Sequence, residues 1–120
     1  MEFDNKYPIY RQLFEMLLSD IINGKLKPGD KFISIREASS KYNLNPNTVT
    51  NAFKELELHK IAVTKRGLGT FVTEDTEVLN NLTKKHSEKI VDDFLSKMYS
   101  LGYKKDEIIS IIHERGEKNE

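Results

Sequence analysis

Three groups of polar side chains in the 120-residue sequence have types and spacing suited to chemistry with another molecule. In the first, Asn47, Thr48, Thr50 and Asn51 stand within LNPNTVTNAFKELE, where no charged residue occurs from Pro46 to Phe53. A carboxamide pairs in bidentate fashion with adenine N6 and N7, and threonine offers a hydroxyl or a methyl group to thymine. The second is Arg36, in SIRE, whose guanidinium suits a phosphate or a guanine edge. The third is Lys65 and Arg66, followed by Gly67-Leu68-Gly69, a basic segment with little bulk that could approach a backbone or a narrow groove closely. Each group also has a plainer reading. Asn45 and Thr48 equally fit helix capping, Arg36 also fits pairing with Glu37 or another surface acid, and KRGLG equally fits a solubilising turn. Asn51 is the exception: it falls well inside a helix, where capping is closed to it and asparagine costs roughly 0.5 kcal/mol relative to alanine.

Other chemistries find little support. His59, His86 and His113 are far apart with no metal-ligand spacing, and Asp92, Asp93 and Glu114 read as ordinary helix-surface acids. The GLG run lacks the third glycine and the following helix of a nucleotide fingerprint. With no cysteine there is neither a disulfide framework nor a thiolate nucleophile or metal site. No catalytic residue, metal or cofactor is therefore expected, and no effector pocket announces itself. No apolar run approaches the roughly 18 residues of a membrane span, and the start MEFDNKYP lacks the regions of a signal peptide. A soluble, cytoplasmic protein is expected.

Nineteen basic residues balance 19 acidic ones, where many nucleic-acid-binding domains are strongly basic. The distribution is more informative than the sum. Neither Ala38–Lys54 nor Leu58–Thr73 contains Asp or Glu, and together they hold Lys41, Lys54, Lys60, Lys65 and Arg66. Two such stretches could make one positive face on a neutral protein, since screening limits each charge to about 8 Å at physiological salt.

The elements that must position these groups follow from periodicity and punctuation. Pro8 with Ile9, Leu13, Met16, Leu17 and Ile21 predicts a first helix with Gly24 just past its end. Pro28 and Gly29 predict a type II turn. The S-x-x-E spacing of Ser34 and Glu37 predicts a capped helix running to about Tyr42. Asn45 as cap and Pro46 at the first position predict a third helix, with Val49, Ala52, Phe53 and Leu56 inward and Asn47, Thr50, Asn51 and Lys54 outward. IAVTKR and TFVT, joined across GLG, predict a hairpin. A long helix from Glu77 to Leu101 comes next, in which TKKHSEK reads either as a solvated bridge or as a break, and then a last helix from about Lys105 to Glu114 with a frayed GEKNE end. A short helix, a turn of about three residues and a second helix with an apolar inner face is the helix-turn-helix pattern, whose second helix meets base edges in the major groove.

With these residues in place, Pro8 to Val72 resembles the winged helix-turn-helix domain of the GntR family of bacterial transcription regulators. The resemblance lies in PIYRQL, NGKLKPGDK, SIRE, NTV with AFKELE, and RGLGTFV. The NPNTV version and the short tail look like its YtrA subfamily. The resemblance implies a mainly α fold with a small β-hairpin: a winged helix-turn-helix over 1–75, followed by a two-helix C-terminal dimerisation tail over 76–120. It implies a DNA surface at Arg36, the start of the third helix and the wing. The full set of expected DNA-binding residues is Ser34, Arg36, Asn45, Asn47, Thr48, Thr50, Asn51, Lys54, Lys65, Arg66, Gly67 and Gly69. The expected partner is double-stranded DNA, bound in sequence-specific fashion by a regulator, most simply a repressor. The alternative is a winged helix that contacts only protein.

The tail also points to a partner on physical grounds. Ile90, Val91, Phe94, Leu95 and Met98 form an apolar stripe, and Ile108, Ile109, Ile111 and Ile112 follow in the last helix. Burying one such side chain is worth roughly 1.5–3 kcal/mol, so a homodimer through Ile90, Val91, Phe94, Leu95, Met98, Ile108, Ile109 and Ile112 is expected, with packing on the head of the same chain as the alternative. Twofold symmetry would then predict an inverted-repeat operator.

Overall fold

The computed structural model describes Phe3 and residues 7–119; most of the acidic start lies outside the described residues. The chain runs α1 (Ile9–Ile22), α2 (Ile35–Tyr42), α3 (Pro46–Leu58), β1 (Ala62–Lys65), β2 (Gly69–Val72), α4 (Thr76–Ser100) and α5 (Lys105–Lys118). It is mainly helical with one antiparallel hairpin, and it divides into two compact units, Met1–Thr83 and Lys84–Glu120.

In the first unit α3 is the centre, with α1, α2 and β1 all packed against it. The buried cluster joins Leu13, Phe14 and Leu17 of α1 to Val49, Ala52, Phe53 and Leu56 of α3, and to Phe32, Ala38, Ile61, Ala62 and Val72. Ala38 and Ala52 are fully enclosed, and residues this small allow α2 and α3 to approach closely. Phe32 meets Phe53 edge to face, with centroids 5.5 Å apart and planes at 80°. The first turns of α4 belong to this unit, where Val78, Leu79 and Leu82 pack on the core.

Local chemistry ends and begins these elements. Ser34 Oγ accepts the Glu37 N–H at 3.0 Å and starts α2. Asn43, at φ 53°, turns the chain into the left-handed region, and the Leu44 N–H closes back on the Ser39 carbonyl at 3.0 Å. The Ser39 hydroxyl donates to the Leu44 carbonyl in return. Asn45 then caps α3, its side chain accepting the Asn47 N–H at 2.8 Å, with Pro46 at the first position. At the far end Lys60 takes φ 62° and its N–H donates to the Glu57 carbonyl at 2.9 Å, which drops Ile61 into the core.

The expected turn at Pro28-Gly29 is present: the Asp30 N–H reaches the Lys27 carbonyl at 2.9 Å, and Gly29 has the positive φ, 84°, that a type II turn requires. Beyond the turn the chain adds a strand that local sequence does not signal. The segment from Gly29 to Phe32 runs along β2, through Gly29 N–H to Val72 O at 3.0 Å, Val72 N–H to Asp30 O at 2.8 Å and Phe32 N–H to Thr70 O at 2.8 Å. Lys31 and Phe71 form an antiparallel bridge. The wing is thus backed by a third short strand.

In the second unit α4 passes through TKKHSEK without a break. A polar run costs such a helix nothing, since none of the 25 residues of α4 is buried. The Gly102 N–H donates to Tyr99 O at 2.9 Å and the Tyr103 N–H to Met98 O at 3.3 Å, closing the end of α4. The last helix runs a turn beyond the expected Glu114, to Lys118. Gly116 costs it about 1 kcal/mol relative to alanine, which the contacts His113–Glu117 at 3.2 Å and Lys118–Glu114 at 3.9 Å help to offset. Among the described residues no helix is long and apolar enough to cross a membrane.

Candidate nucleic-acid interface

α2, the three-residue turn Asn43-Leu44-Asn45 and α3 build the helix-turn-helix. At about 100° per residue, Val49, Ala52, Phe53 and Leu56 face inward as expected, and of the expected outward set Asn47, Asn51 and Lys54 are exposed while Thr50 is half-buried. The inward four are buried, with Thr48 and Thr50 on the flanks. The outward face extends about 10 Å along the helix axis at 1.5 Å per residue. Anchoring the inner face in the core holds these side chains at set positions on a rigid rod.

The outward side chains make few contacts of their own. Neither the Asn47 nor the Asn51 carboxamide has a hydrogen-bond partner among the described residues, and the backbone N–H of Asn47 is satisfied by Asn45 instead. Asn45 therefore serves α3 as its cap through Oδ1, leaving its amide N–H groups for another acceptor. The first turn of α3 carries no acidic residue. Its positive dipole end is left for an anion from outside, where a carboxylate would usually sit.

Arg36 lies in the first turn of α2, two residues after the capping Ser34. It is exposed, and no carboxylate of a described residue lies within 4.0 Å of it, so the pairing with Glu37 is not made. A guanidinium beside a helix N-terminus, where the dipole disfavours a cation, remains available to an outside acceptor.

In the wing, Lys65 pairs with Gly69 across the hairpin and Val63 with Phe71. Arg66, Gly67 and Leu68 form the tip, closed by Leu68 N–H to Lys65 O at 2.9 Å, and all three are exposed. Thr64 Oγ1 donates to Glu57 Oε1 at 3.0 Å, tying the hairpin to the end of α3. Lys65 Nζ stands 4.7 Å from the centre of the Phe71 ring. Gly69, at φ 123°, lies under a side chain absent from the expected DNA-binding set: a Cβ on it would meet Lys31 Cε at 2.7 Å. No local sequence signal marks Lys31, whose place on the wing is set by its bridge to Phe71.

The second unit holds the tail residues. Ile108 is buried, at 1% exposure, while Leu95, Met98 and Ile111 are half-buried. Ile90, Val91, Phe94, Ile109 and Ile112 are exposed, at 37% to 57%.

Comparison with known proteins matches residues 9–72 to the model of the bacterial regulatory proteins of the gntR family. The chain is 33% identical to the uncharacterized HTH-type transcriptional regulator YhcF of Bacillus subtilis over 108 residues, 90% of this chain and 89% of that protein. It is 43% identical over 70 residues to the HTH-type transcriptional repressor YtrA of the same organism, covering 58% of this chain and 54% of that one. Among solved structures it is similar to a GntR family transcriptional regulator from Listeria monocytogenes, with TM-score 0.86 and 35% identity over 93% of this chain and 98% of that one. It is also similar to AraR(DBD), solved in complex with operator ORX1, with TM-score 0.57 and 26% identity over 60% of this chain and 93% of that one.

Proposed function

The chain belongs to the gntR family of bacterial regulatory proteins, and on that premise we propose that it represses transcription as a homodimer, reading an inverted-repeat operator with α3 while Arg36 and the wing hold the DNA backbone. The family is one of transcription regulators, not of enzymes, and its YtrA-like members include a protein named as a repressor. The observation that carries the reading is the outer face of α3. Four uncharged polar side chains sit there without hydrogen-bond partners among the described residues, at the start of the second helix of a helix-turn-helix, where base edges would lie. A solvent-facing helix has no need of such residues, and asparagine within a helix costs stability.

In this reading Asn47 and Asn51 accept from and donate to adenine, and Thr48 and Thr50 meet thymine methyls or phosphates. Ser34 and Asn45 hold the two helix starts and turn their remaining donors to the DNA backbone. Arg36, Lys54, Lys65 and Arg66 grip phosphates, and Gly67 and Gly69 let the wing come close. The dimer is supported by α4, 25 residues long with none buried, and by the exposed Ile90, Val91, Phe94, Ile109 and Ile112. An apolar face of this kind on two helices suits a second copy of itself.

Selection of bound duplexes from a random pool tests the whole reading. The expected outcome is an enriched inverted repeat with half-sites about 10 base pairs apart, or a multiple of that. A pool that returns without enrichment, bound equally at low and high salt, would leave the winged helix as a surface for protein contact.

A further inference from the structure

Two lysine side chains lie on the outward face of the wing with no carboxylate of a described residue paired to them. Residues directly opposite each other in a sheet project to the same face. The register Ala62↔Val72 and Thr64↔Thr70 therefore assigns one face to the core, and Ala62 and Val72 are indeed buried there. The other face carries Lys65 opposite Gly69, and Val63 opposite Phe71. The antiparallel bridge of Lys31 with Phe71 adds Lys31 to that outer face from the far side of β2.

The two amines approach from opposite sides. Lys65 reaches in from β1, its Nζ 4.7 Å from the Phe71 ring centre. Lys31 reaches in from the third strand and lies over Gly69, its Nζ 3.4 Å and its Cε 2.7 Å from where a Cβ would stand. Gly69 itself holds φ 123°, a backbone conformation that side chains rarely adopt. Among the described residues neither amine has a carboxylate within 4.0 Å. Two amines on one face of the wing, neither paired with a carboxylate of a described residue, offer a passing anion two cations beside a backbone position without a side chain.

We propose that Lys31 is a DNA-phosphate contact, acting with Lys65 across Gly69 as a two-lysine clamp on the backbone beside the groove that the wing enters. The clamp rests on the DNA-binding reading of α3 and the wing. It is indifferent to sequence, because phosphate contacts position the protein and base contacts specify.

The test uses the full chain and the duplex enriched from the random pool, titrated between about 50 and 200 mM salt. K31Q, which removes one contact from each head of the dimer, is expected to lower affinity, to reduce the slope of log K against log salt by about 1.8, and to leave the ratio between enriched and scrambled duplex unchanged. K31R is expected to restore affinity and slope, which a packing defect would not allow. K31Q with wild-type affinity and slope, while R36Q lowers both, would overturn the clamp and leave the DNA reading standing. Failure of K31R to rescue, together with a lowered unfolding midpoint, would assign the loss to folding and overturn it too. A wild-type chain without salt-dependent affinity for any duplex would remove both readings together.

Discussion

Asn51→Ala is the sharpest test of base reading, because it moves stability and affinity in opposite directions. Asn51 lies beyond the first turn of α3, exposed, with its carboxamide unpartnered among the described residues. Its replacement removes no hydrogen bond from the free chain. Alanine is the better helix former by roughly 0.5 kcal/mol, so the free protein should unfold at a slightly higher temperature. Bound to DNA, a bidentate amide–adenine pair is worth about 1–3 kcal/mol of discrimination. At about 1.4 kcal/mol per tenfold, the operator should bind about 5- to 150-fold more weakly. The assay pairs thermal unfolding of the free chain with titration of the enriched duplex and of single-base variants. The variant should lose discrimination at one position per half-site and keep it elsewhere. Wild-type affinity, or an equal loss on every duplex, would take Asn51 out of the reading set. A loss of stability above about 1 kcal/mol would mean that the amide serves its own fold, and the propensity argument would be wrong.

Ser34→Ala should cost about 1 kcal/mol of stability, since it removes the acceptor of the Glu37 N–H at 3.0 Å; a denaturant midpoint measures this, and an unchanged midpoint would deny the cap its role. Lys60→Gly should instead stabilise the chain by about 0.5–1 kcal/mol, because Lys60 holds φ 62°, where a side chain is strained; a lower melting temperature would refute it. Ile90→Asp combined with Phe94→Asp, both exposed in the single chain, should raise the dimer dissociation constant by about ten-thousandfold or more, since each lost burial of about 1.5–3 kcal/mol counts twice across a twofold axis. Sedimentation velocity checks this, and an unchanged sedimentation coefficient would exclude that face.

The parts of this fold that are legible in the sequence are those set by neighbours along the chain. Ser34 with Glu37, Asn45 with Pro46, and the 3.6-residue spacing of Val49, Ala52, Phe53 and Leu56 each carry their own boundary or face, and the structure keeps them. The third strand is hidden because its pairing partner Phe71 lies far along the chain, and a single bridge leaves no alternating run to detect. That Lys31 and Lys65 share one face of the wing is hidden for the same reason, since they meet that face from the two strands that flank β2. In TKKHSEK the pattern allows both a break and a bridge, and the unbroken run of α4 decides for the bridge. The sequence ends α5 too early because GEKNE reads as a frayed chain end, whereas side-chain contacts four residues apart accompany the helix through it.

Zero net charge is compatible with a polyanionic partner only if the contacts, and not the overall field, provide the attraction. Between Lys31 and Thr73 there are seven basic residues against three acidic ones. Two of the three have partners within the fold, Glu55 lying 3.5 Å from His59 and Glu57 accepting from Thr64 at 3.0 Å, while Glu37 stands at its own helix start. With a screening length of about 8 Å, charges more than that distance from a phosphate seated at the wing contribute little to holding it. The salt dependence should therefore report the number of phosphates touched, whatever the net charge. Arg36, Lys54, Lys65 and Arg66 on each of two heads give a slope of about −7, and Lys31 on each would take it to about −9. A measured slope between about 0 and −2 would mean that these side chains do not seat on phosphate, and the electrostatic half of the reading would fail with it.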